Sequence, residues 1–173
     1  NILTGRIRYY GDDIAAVVAQ DEVTASRALR LIKVEYEEYP VEIHPRKSMY
    51  GSHPPIHFDK KDNVLNRTNF FIGNVDEGLE QSDTVVKRSY KTSMVQHCHL
   101  ENPVSFAYME KDRVVVVTST QIPHIVRRVI GQALGIPWGR VRVIKPYIGG
   151  GFGNKQDVLY EPLNAFLTMQ VGG

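Results

Sequence analysis

The sequence predicts a mixed α/β fold of the α+β class, and three observations support this prediction. Two alternating apolar strands, a helix and a further strand run from residue 104 to residue 145, ahead of another helix at 158–170. A separate helix with an apolar stripe lies near the start of the chain, at 22–32. Residues 45–75 keep no hydrophobic period, so we expect a linker between two domains.

The first predicted domain, residues 1–44, contains a capped helix. Asp21 is placed to cap a helix that runs to about Ile32. Its apolar residues recur at helical spacing, which predicts a face packed on a core. Those residues are Ala25, Ala28, Leu29 and Ile32. Short strands are expected on either side, at 14–19 and 34–39.

The second predicted domain, residues 76–173, follows the linker at 45–75. We expect a short helix at 75–81 and then a long strand at 84–96. A hairpin is predicted within 104–118, because two apolar runs flank a polar turn.

The most informative stretch is the glycine-rich run that follows the strand 141–145. Glycine occupies four of the five positions 149–153, so peptide N–H groups there can approach a ligand without interference from Cβ atoms. Such a loop ahead of a helix suits a phosphate, an oxo group or another electron-rich ligand. A tight strand-to-helix turn is the alternative, but a turn has no need of Phe152 inside the run.

Two familiar phosphate-binding loops do not match this run. The P-loop needs a Gly-Lys-Ser/Thr ending, whereas Lys155 lies between Asn154 and Gln156. The dinucleotide fingerprint needs a glycine at its sixth position, which is Asn154 counted from Gly149 and Gln156 counted from Gly151. An ordinary ATP or NAD site is therefore disfavoured.

A second polar corner lies between the strand ending at Thr118 and the helix that starts at Ile122. Gln121 occupies this corner, where its amide could donate to a ligand or cap the helix. The order strand, corner, helix, strand, glycine loop places both loops at the same end of neighbouring strands, where open sheets commonly bind ligands.

Other polar side chains have simpler readings. His97 and His99 would share one face of a strand, but no third ligand for zinc lies nearby. Cys98 is expected to pack as a small apolar group. Glu101 suggests a structural hydrogen bond, and Lys155 either neutralises an acidic group or faces solvent.

The net charge, the apolar runs and the cysteine count limit the kinds of partner that the chain is expected to bind. The net charge of +2 gives no strong field for nucleic acid or a membrane surface, and no apolar run is long enough to span a bilayer. We expect neither as a partner. The single cysteine excludes an internal disulfide and a cysteine cluster for zinc or iron–sulfur, which fits a reducing, cytoplasmic setting.

Several segments together resemble the molybdenum-binding subunit of the xanthine dehydrogenase and aldehyde oxidase family, in its bacterial xanthine dehydrogenase-like form. They are Ser-Thr-Gln-Ile-Pro at 119–123, Ala-Leu-Gly-Ile-Pro at 133–137, Val-Arg-Val-Ile at 141–144 and Ile-Gly-Gly-Gly-Phe-Gly-Asn-Lys at 148–155. Segments 12–18 and 34–40 are similar to the family's small hammerhead domain, and 96–102 to the stretch ahead of its cofactor domain. The resemblance implies part of a hammerhead domain followed by the first part of a molybdopterin-binding domain.

The resemblance also implies roles for particular residues. Gln121 matches the glutamine that hydrogen-bonds an oxygen ligand of molybdenum. Four loop positions match the segment that wraps the cofactor: Gly150, Gly151, Phe152 and Gly153. Gln121 and Phe152 would surround the metal without ligating it. Gln156 would face the substrate, where animal xanthine-oxidising enzymes have a glutamate, and an amide cannot ionise.

The implied function is that of a molybdenum hydroxylase that oxidises a purine such as xanthine or hypoxanthine with oxygen from water. The implied cofactor is molybdenum–molybdopterin in its cytosine dinucleotide form, with iron–sulfur clusters and FAD on partner subunits or domains of an oligomer. We expect this chain to be a fragment that is inactive alone. Oxidation of aldehydes or other N-heterocycles, and a non-enzymatic interaction domain, stay open as alternatives.

Overall fold

The computed structural model describes residues 2–51 and 54–172. The chain divides into two compact units, one formed by Asn1–Lys33 with Val95–Gly173 and the other by Val34–Met94. Ser52 and His53, within the predicted linker, lie outside the described residues. The predicted domain boundaries at residues 44 and 75 stay predictions.

Five α-helices occur within the described residues. They are α1 (Glu22–Leu29), α2 (Pro45–Tyr50), α3 (Val75–Glu80), α4 (Pro123–Leu134) and α5 (Glu161–Val171). The predicted helices correspond to α1, α3, α4 and α5, with ends that differ by up to three residues. Helix α2 was not predicted, although Pro45 at its start is a common first residue of a helix.

Three strands form one sheet in the order β1 (Ser105–Glu110), β2 (Arg113–Thr118) and β3 (Val141–Ile144). β1 and β2 form the predicted antiparallel hairpin, in which Ser105 pairs with Thr118. β2 and β3 run parallel, from Val114 opposite Val141 to Val117 opposite Ile144. The connection between them contains α4, as parallel pairing requires a crossover.

The core of this unit lies between the sheet and two helices. α5 packs on β1 and β2, α4 packs on β3, and the two helices contact each other. The central strand β2 carries four consecutive valines, at 114–117, and the first three of them are buried, as is typical of a strand covered on both faces. The buried cluster consists of Val114, Val116, Val126, Ile130, Val141 and Ala165.

Near the start of the chain, α1 begins as predicted but does not form a core. The Asp21 carboxylate accepts a hydrogen bond from the Thr24 N–H at 2.8 Å, which caps the helix. No residue of α1 is buried, and Leu29 is 49% exposed. The prediction that the stripe Ala25, Ala28, Leu29 and Ile32 packs in a core is therefore wrong for the described residues.

Three predicted strands, at 14–19, 34–39 and 84–96, are also wrong. The described residues there are extended or irregular and join no sheet. An alternating pattern indicates that one face of a segment can be buried, but a strand also needs a neighbour to complete its hydrogen-bond ladder. Within 2–51 and 54–172, none of these segments forms a hydrogen-bond ladder with another strand.

The unit Val34–Met94 contains α2 and α3 and is held partly by side-chain hydrogen bonds to the backbone. The Asn63 side chain accepts from the Ile56 N–H at 2.7 Å and donates to the Ser48 carbonyl at 3.3 Å. Asn74 caps α3 by accepting from the Glu77 N–H. These local hydrogen bonds hold a segment in which no described residue is buried.

The core predicts a clear mutational contrast on α4. Ile130 is fully buried, so Ile130→Ala should lower the free energy of unfolding by about 2–5 kcal/mol. Ile125 on the same helix is 41% exposed, and Ile125→Ala should cost clearly less. Urea unfolding followed by circular dichroism measures both, and equal losses would contradict the packing described.

Candidate functional site

Two loops meet at one edge of the sheet because β2 and β3 run parallel. β2 ends at Thr118 and leads to the corner at Gln121, while β3 ends at Ile144 and leads to the glycine loop at 149–153. The carboxyl ends of parallel strands lie at the same edge. The structure therefore brings together the two loops that the sequence singled out.

Reciprocal hydrogen bonds join Gln121 to Lys155. The Gln121 N–H donates to the Lys155 carbonyl at 2.8 Å, and the Lys155 N–H donates to Gln121 Oε1 at 3.3 Å. The Gln121 side chain does not cap α4, whose first residues receive no side-chain cap. Its Nε2 group has no hydrogen-bond partner among the described residues, so it is available as a donor.

Gly151 lies so close to the Gln121 amide that a larger residue there would push the amide aside. A Cβ atom added at Gly151 would lie 2.5 Å from Gln121 Cδ. Gly150 has φ +100°, and a Cβ there would lie 2.9 Å from the Cβ of His99. Position 150 therefore needs glycine for its backbone conformation, whereas a side chain at Gly151 would displace the Gln121 amide from its present position.

Glu101 holds the beginning and the end of the glycine loop. Its N–H donates to the Gly149 carbonyl at 3.2 Å, and its Oε2 accepts from the Gly149 N–H at 3.0 Å. The same Oε2 accepts from Lys155 Nζ at 2.5 Å. The side chain of Lys155 is 1% exposed, which excludes the solvent-facing alternative and leaves neutralisation of an acidic group.

The electrostatics of Glu101 follow from these contacts. The hydrogen bond from the Lys155 ammonium, followed by that from the Gly149 N–H, holds the pKa of the Glu101 carboxyl below its ordinary value. The Lys155 charge adds to this effect, and burial opposes it. Glu101 is therefore ionised at neutral pH and has the structural role predicted for it.

The histidines do not form the strand-borne pair that the sequence suggested. Cys98 between them has φ 52° and is exposed, so it does not pack as an apolar group. His99 Nε2 lies 3.0 Å from Asn154 Nδ2, and its buried Nδ1 has no partner. Among the described residues, no three side chains of metal-ligating type cluster into a metal site.

Phe152 and Gln156 lie on the open side of the loop. Phe152 has φ 49° and is 73% exposed, and Gln156 is also exposed. Turn hydrogen bonds fix the backbone around them, from the Asn154 N–H to Gly151 O and from the Gln156 N–H to Gly153 O. Their side chains therefore remain available to a ligand, and their roles stay predictions.

One buried polar residue near this edge was missed by the sequence reasoning. Glu161 is 5% exposed, and its carboxylate accepts from Thr118 Oγ1 and from the Leu159 N–H, each at 2.8 Å. It ties the end of β2 to the start of α5. The signal available was an acidic residue in the first turn of a helix, which is too common to identify a buried contact.

The arrangement fits an anionic, oxygen-rich cofactor. One amide donor from Gln121 and the bare peptides around Gly150 and Gly151 face the same edge of the sheet, and the nearby carboxylate of Glu101 is neutralised by Lys155. A cluster of side-chain metal ligands is absent from the described residues.

Comparison with known proteins gives two family matches. Residues 56–173 match the molybdopterin cofactor-binding domain, and residues 1–40 match the aldehyde oxidase and xanthine dehydrogenase a/b hammerhead domain. The chain is 50% identical to the xanthine dehydrogenase molybdenum-binding subunit of Escherichia coli O157:H7, over 99% of this chain and 23% of that protein.

A more distant relative and a solved structure extend the comparison. The large molybdopterin subunit of nicotinate dehydrogenase from Eubacterium barkeri is 33% identical, over 96% of this chain and 39% of that protein. Quinoline 2-oxidoreductase from Pseudomonas putida 86 matches with a TM-score of 0.78 and 28% identity, over 89% of this chain and 20% of that chain. The chain thus spans about a quarter of the length of the first relative.

Acidification should expose the contribution of Glu101 to stability. Because its folded-state pKa lies below the ordinary value of 4.5, the ionised pair stabilises the fold fully above that pH, and this contribution is lost as the pH falls through the folded-state pKa. Wild type should be more stable than Glu101→Gln at pH 7, and the two should converge at acidic pH. Urea midpoints between pH 7 and pH 3 measure the difference.

The matched control for this experiment is Glu110→Gln. Glu110 forms an exposed ion pair with Arg142 at 3.2 Å, and such pairs contribute little to stability. A constant gap between wild type and Glu101→Gln over the whole pH range would contradict the stabilising ion pair.

Proposed function

We propose, since this chain belongs to the molybdopterin cofactor-binding domain family, that it forms part of the molybdenum-binding subunit of a purine-oxidising hydroxylase. The single observation that carries the proposal is the contact between Gln121 and the glycine loop, where a Cβ at Gly151 would overlap the amide. An amide donor without a partner, next to glycine peptide groups that no side chain covers, can hydrogen-bond an anionic cofactor.

The residues that would hold the cofactor come from both loops. Gln121 would donate from Nε2, because its Oε1 already accepts from the Lys155 N–H. The loop residues Gly150, Gly151, Phe152 and Gly153 would cover the cofactor from one side. Phe152, whose ring is 73% exposed here, would be covered by the bound ligand and would exclude water beside the metal.

The proposed reaction replaces a carbon–hydrogen bond of a purine such as xanthine or hypoxanthine by a carbon–oxygen bond. Water supplies the oxygen, and two protons and two electrons are released for each carbon oxidised. When bound, the molybdenum cofactor would supply this two-electron chemistry, with iron–sulfur clusters and FAD on partner subunits or domains as the proposed electron acceptors. The protein contributes orientation and a dry electrostatic site.

Gln156 is proposed to face the substrate. Its side chain is exposed, and its backbone is fixed by the bond from its N–H to Gly153 O at 3.2 Å. A neutral amide presents one acceptor and a donor group, which can pair with the alternating donors and acceptors of a purine edge. The same neutrality favours a second candidate, another N-heterocycle, and one relative is named as a nicotinate dehydrogenase.

The proposal also covers the form of the cofactor, the oligomeric state and the location of the enzyme. The cofactor would be the cytosine dinucleotide form of molybdenum–molybdopterin, and the whole enzyme would be an oligomer. We also propose a reducing, cytoplasmic location, with which the single cysteine of the sequence is compatible. No helix among the described residues is long and apolar enough to cross a membrane.

Gly151→Ala in the full-length subunit should reduce cofactor binding. The added methyl would lie 2.5 Å from Gln121 Cδ, so either the amide or the loop must move. Molybdenum content measured by mass spectrometry should fall severalfold, together with purine oxidation. Gly139→Ala is the matched control, because a Cβ there meets nothing within 4 Å. Unchanged molybdenum in Gly151→Ala would argue against this site.

Gln156→Ala tests the substrate assignment. Losing a hydrogen-bonding amide should lower kcat/KM for xanthine about 10-fold, equivalent to one hydrogen bond of roughly 1.4 kcal/mol. The comparison uses xanthine, nicotinate and benzaldehyde on the full-length enzyme with its partner subunits. Oxidation of nicotinate or benzaldehyde without oxidation of xanthine would contradict the purine assignment and identify an N-heterocycle or an aldehyde as the substrate.

A further inference from the structure

We propose that Lys155, paired with Glu101, is a positioning residue that fixes which atom of the Gln121 amide faces the cofactor. The inference rests on the proposed function, because it assigns a direction to the amide that the cofactor would meet. It goes beyond that function by giving a role to a buried charge that contacts neither cofactor nor substrate in the proposed scheme.

The Lys155 ammonium is buried with a partner. Its side chain is 1% exposed, and its Nζ lies 2.5 Å from Glu101 Oε2. A buried ammonium without an acceptor is strongly unfavourable, so the ion pair fixes where the side chain of Lys155 can lie. Glu101 is in turn held by the Gly149 N–H at 3.0 Å, so the carboxylate is itself anchored at the other end of the glycine loop.

The position of the side chain sets the position of the backbone. The Lys155 carbonyl accepts from the Gln121 N–H, and Thr120 Oγ1 lies 3.4 Å from the same carbonyl. The Lys155 N–H then points at the Gln121 side chain, with Oε1 at 3.3 Å. Lys155 therefore links Glu101 to the Gln121 corner through its own side chain and peptide groups.

This link decides the orientation of the amide. With Oε1 on the Lys155 N–H, Nε2 is left as the free donor toward the cofactor. The reversed amide would place Nε2 against the Lys155 N–H, so that two donors would face each other. Gly151 restricts the amide further, because it lies against Gln121 Cδ, Oε1 and Nε2. Without the Lys155 backbone in place, the amide loses the contact that distinguishes its two ends.

The test uses the full-length subunit assembled with its partner subunits. Lys155→Met keeps much of the side-chain volume and removes the charge, and Lys155→Arg keeps the charge. The double variant with Glu101→Met and Lys155→Met leaves no buried charge unpaired, so it carries the test if the single variant does not fold. Lys111→Met, in the exposed hairpin turn, is the matched control.

Three quantities are measured: molybdenum content, the electron paramagnetic resonance signal after partial reduction with dithionite, and the rate of reduction by xanthine. Lys155→Met and the double variant should retain molybdenum but show an altered resonance signal and a rate about 10- to 100-fold lower, as expected for a misplaced group. Lys155→Arg should move the signal back toward wild type, and Lys111→Met should match wild type.

Two results would overturn the inference while the proposed function stands. One is a wild-type signal and rate in the double variant. The other is a folded Lys155→Met protein that has lost its molybdenum, because the inference gives Lys155 the orientation of the amide and not retention of the cofactor. Absence of molybdenum from the wild-type enzyme would instead refute the proposed function.

Discussion

The site depends on one ion pair, between a buried lysine and a partly exposed glutamate that are far apart in the sequence. Glu101 lies just ahead of β1 and Lys155 lies two residues after the glycine loop, yet their charged atoms are 2.5 Å apart. Because the ammonium is almost fully buried, it cannot be released to solvent without movement of the loop. The pair thus converts a glycine-rich segment, which is intrinsically free in conformation, into a loop with a fixed position.

Parallel pairing of β2 with β3 makes that ion pair possible. The crossover through α4 brings the end of β3 next to the end of β2, and the core of β2, α4 and α5 holds both strands in register. Gln121 and the glycine loop then meet at the sheet edge. The chemistry lies on loops while the geometry comes from the buried strands, as is common for binding sites on α/β sheets.

The resemblance to the xanthine dehydrogenase and aldehyde oxidase family, drawn from short motifs, is confirmed by the matches over residues 1–40 and 56–173. The hairpin, α4 and β3 were predicted because each has a complete local pattern and a partner nearby in the chain. The segments 14–19, 34–39 and 84–96 have comparable patterns but pair with no neighbour among the described residues. Hydrophobic periodicity indicates which face of a segment can be buried, but it does not show whether a neighbouring strand pairs with that segment.

The sequence by itself determined the family, the order of the elements around the site and the two loops that matter, because turn residues and apolar periods are local properties. Only the tertiary structure decided that Lys155 is buried, that Glu101 holds both ends of the loop, and that Gln121 keeps Nε2 free. These facts depend on contacts between residues more than thirty positions apart. Such contacts leave no local pattern in the sequence, since a lysine, a glutamate or a glutamine at these positions could equally well face solvent.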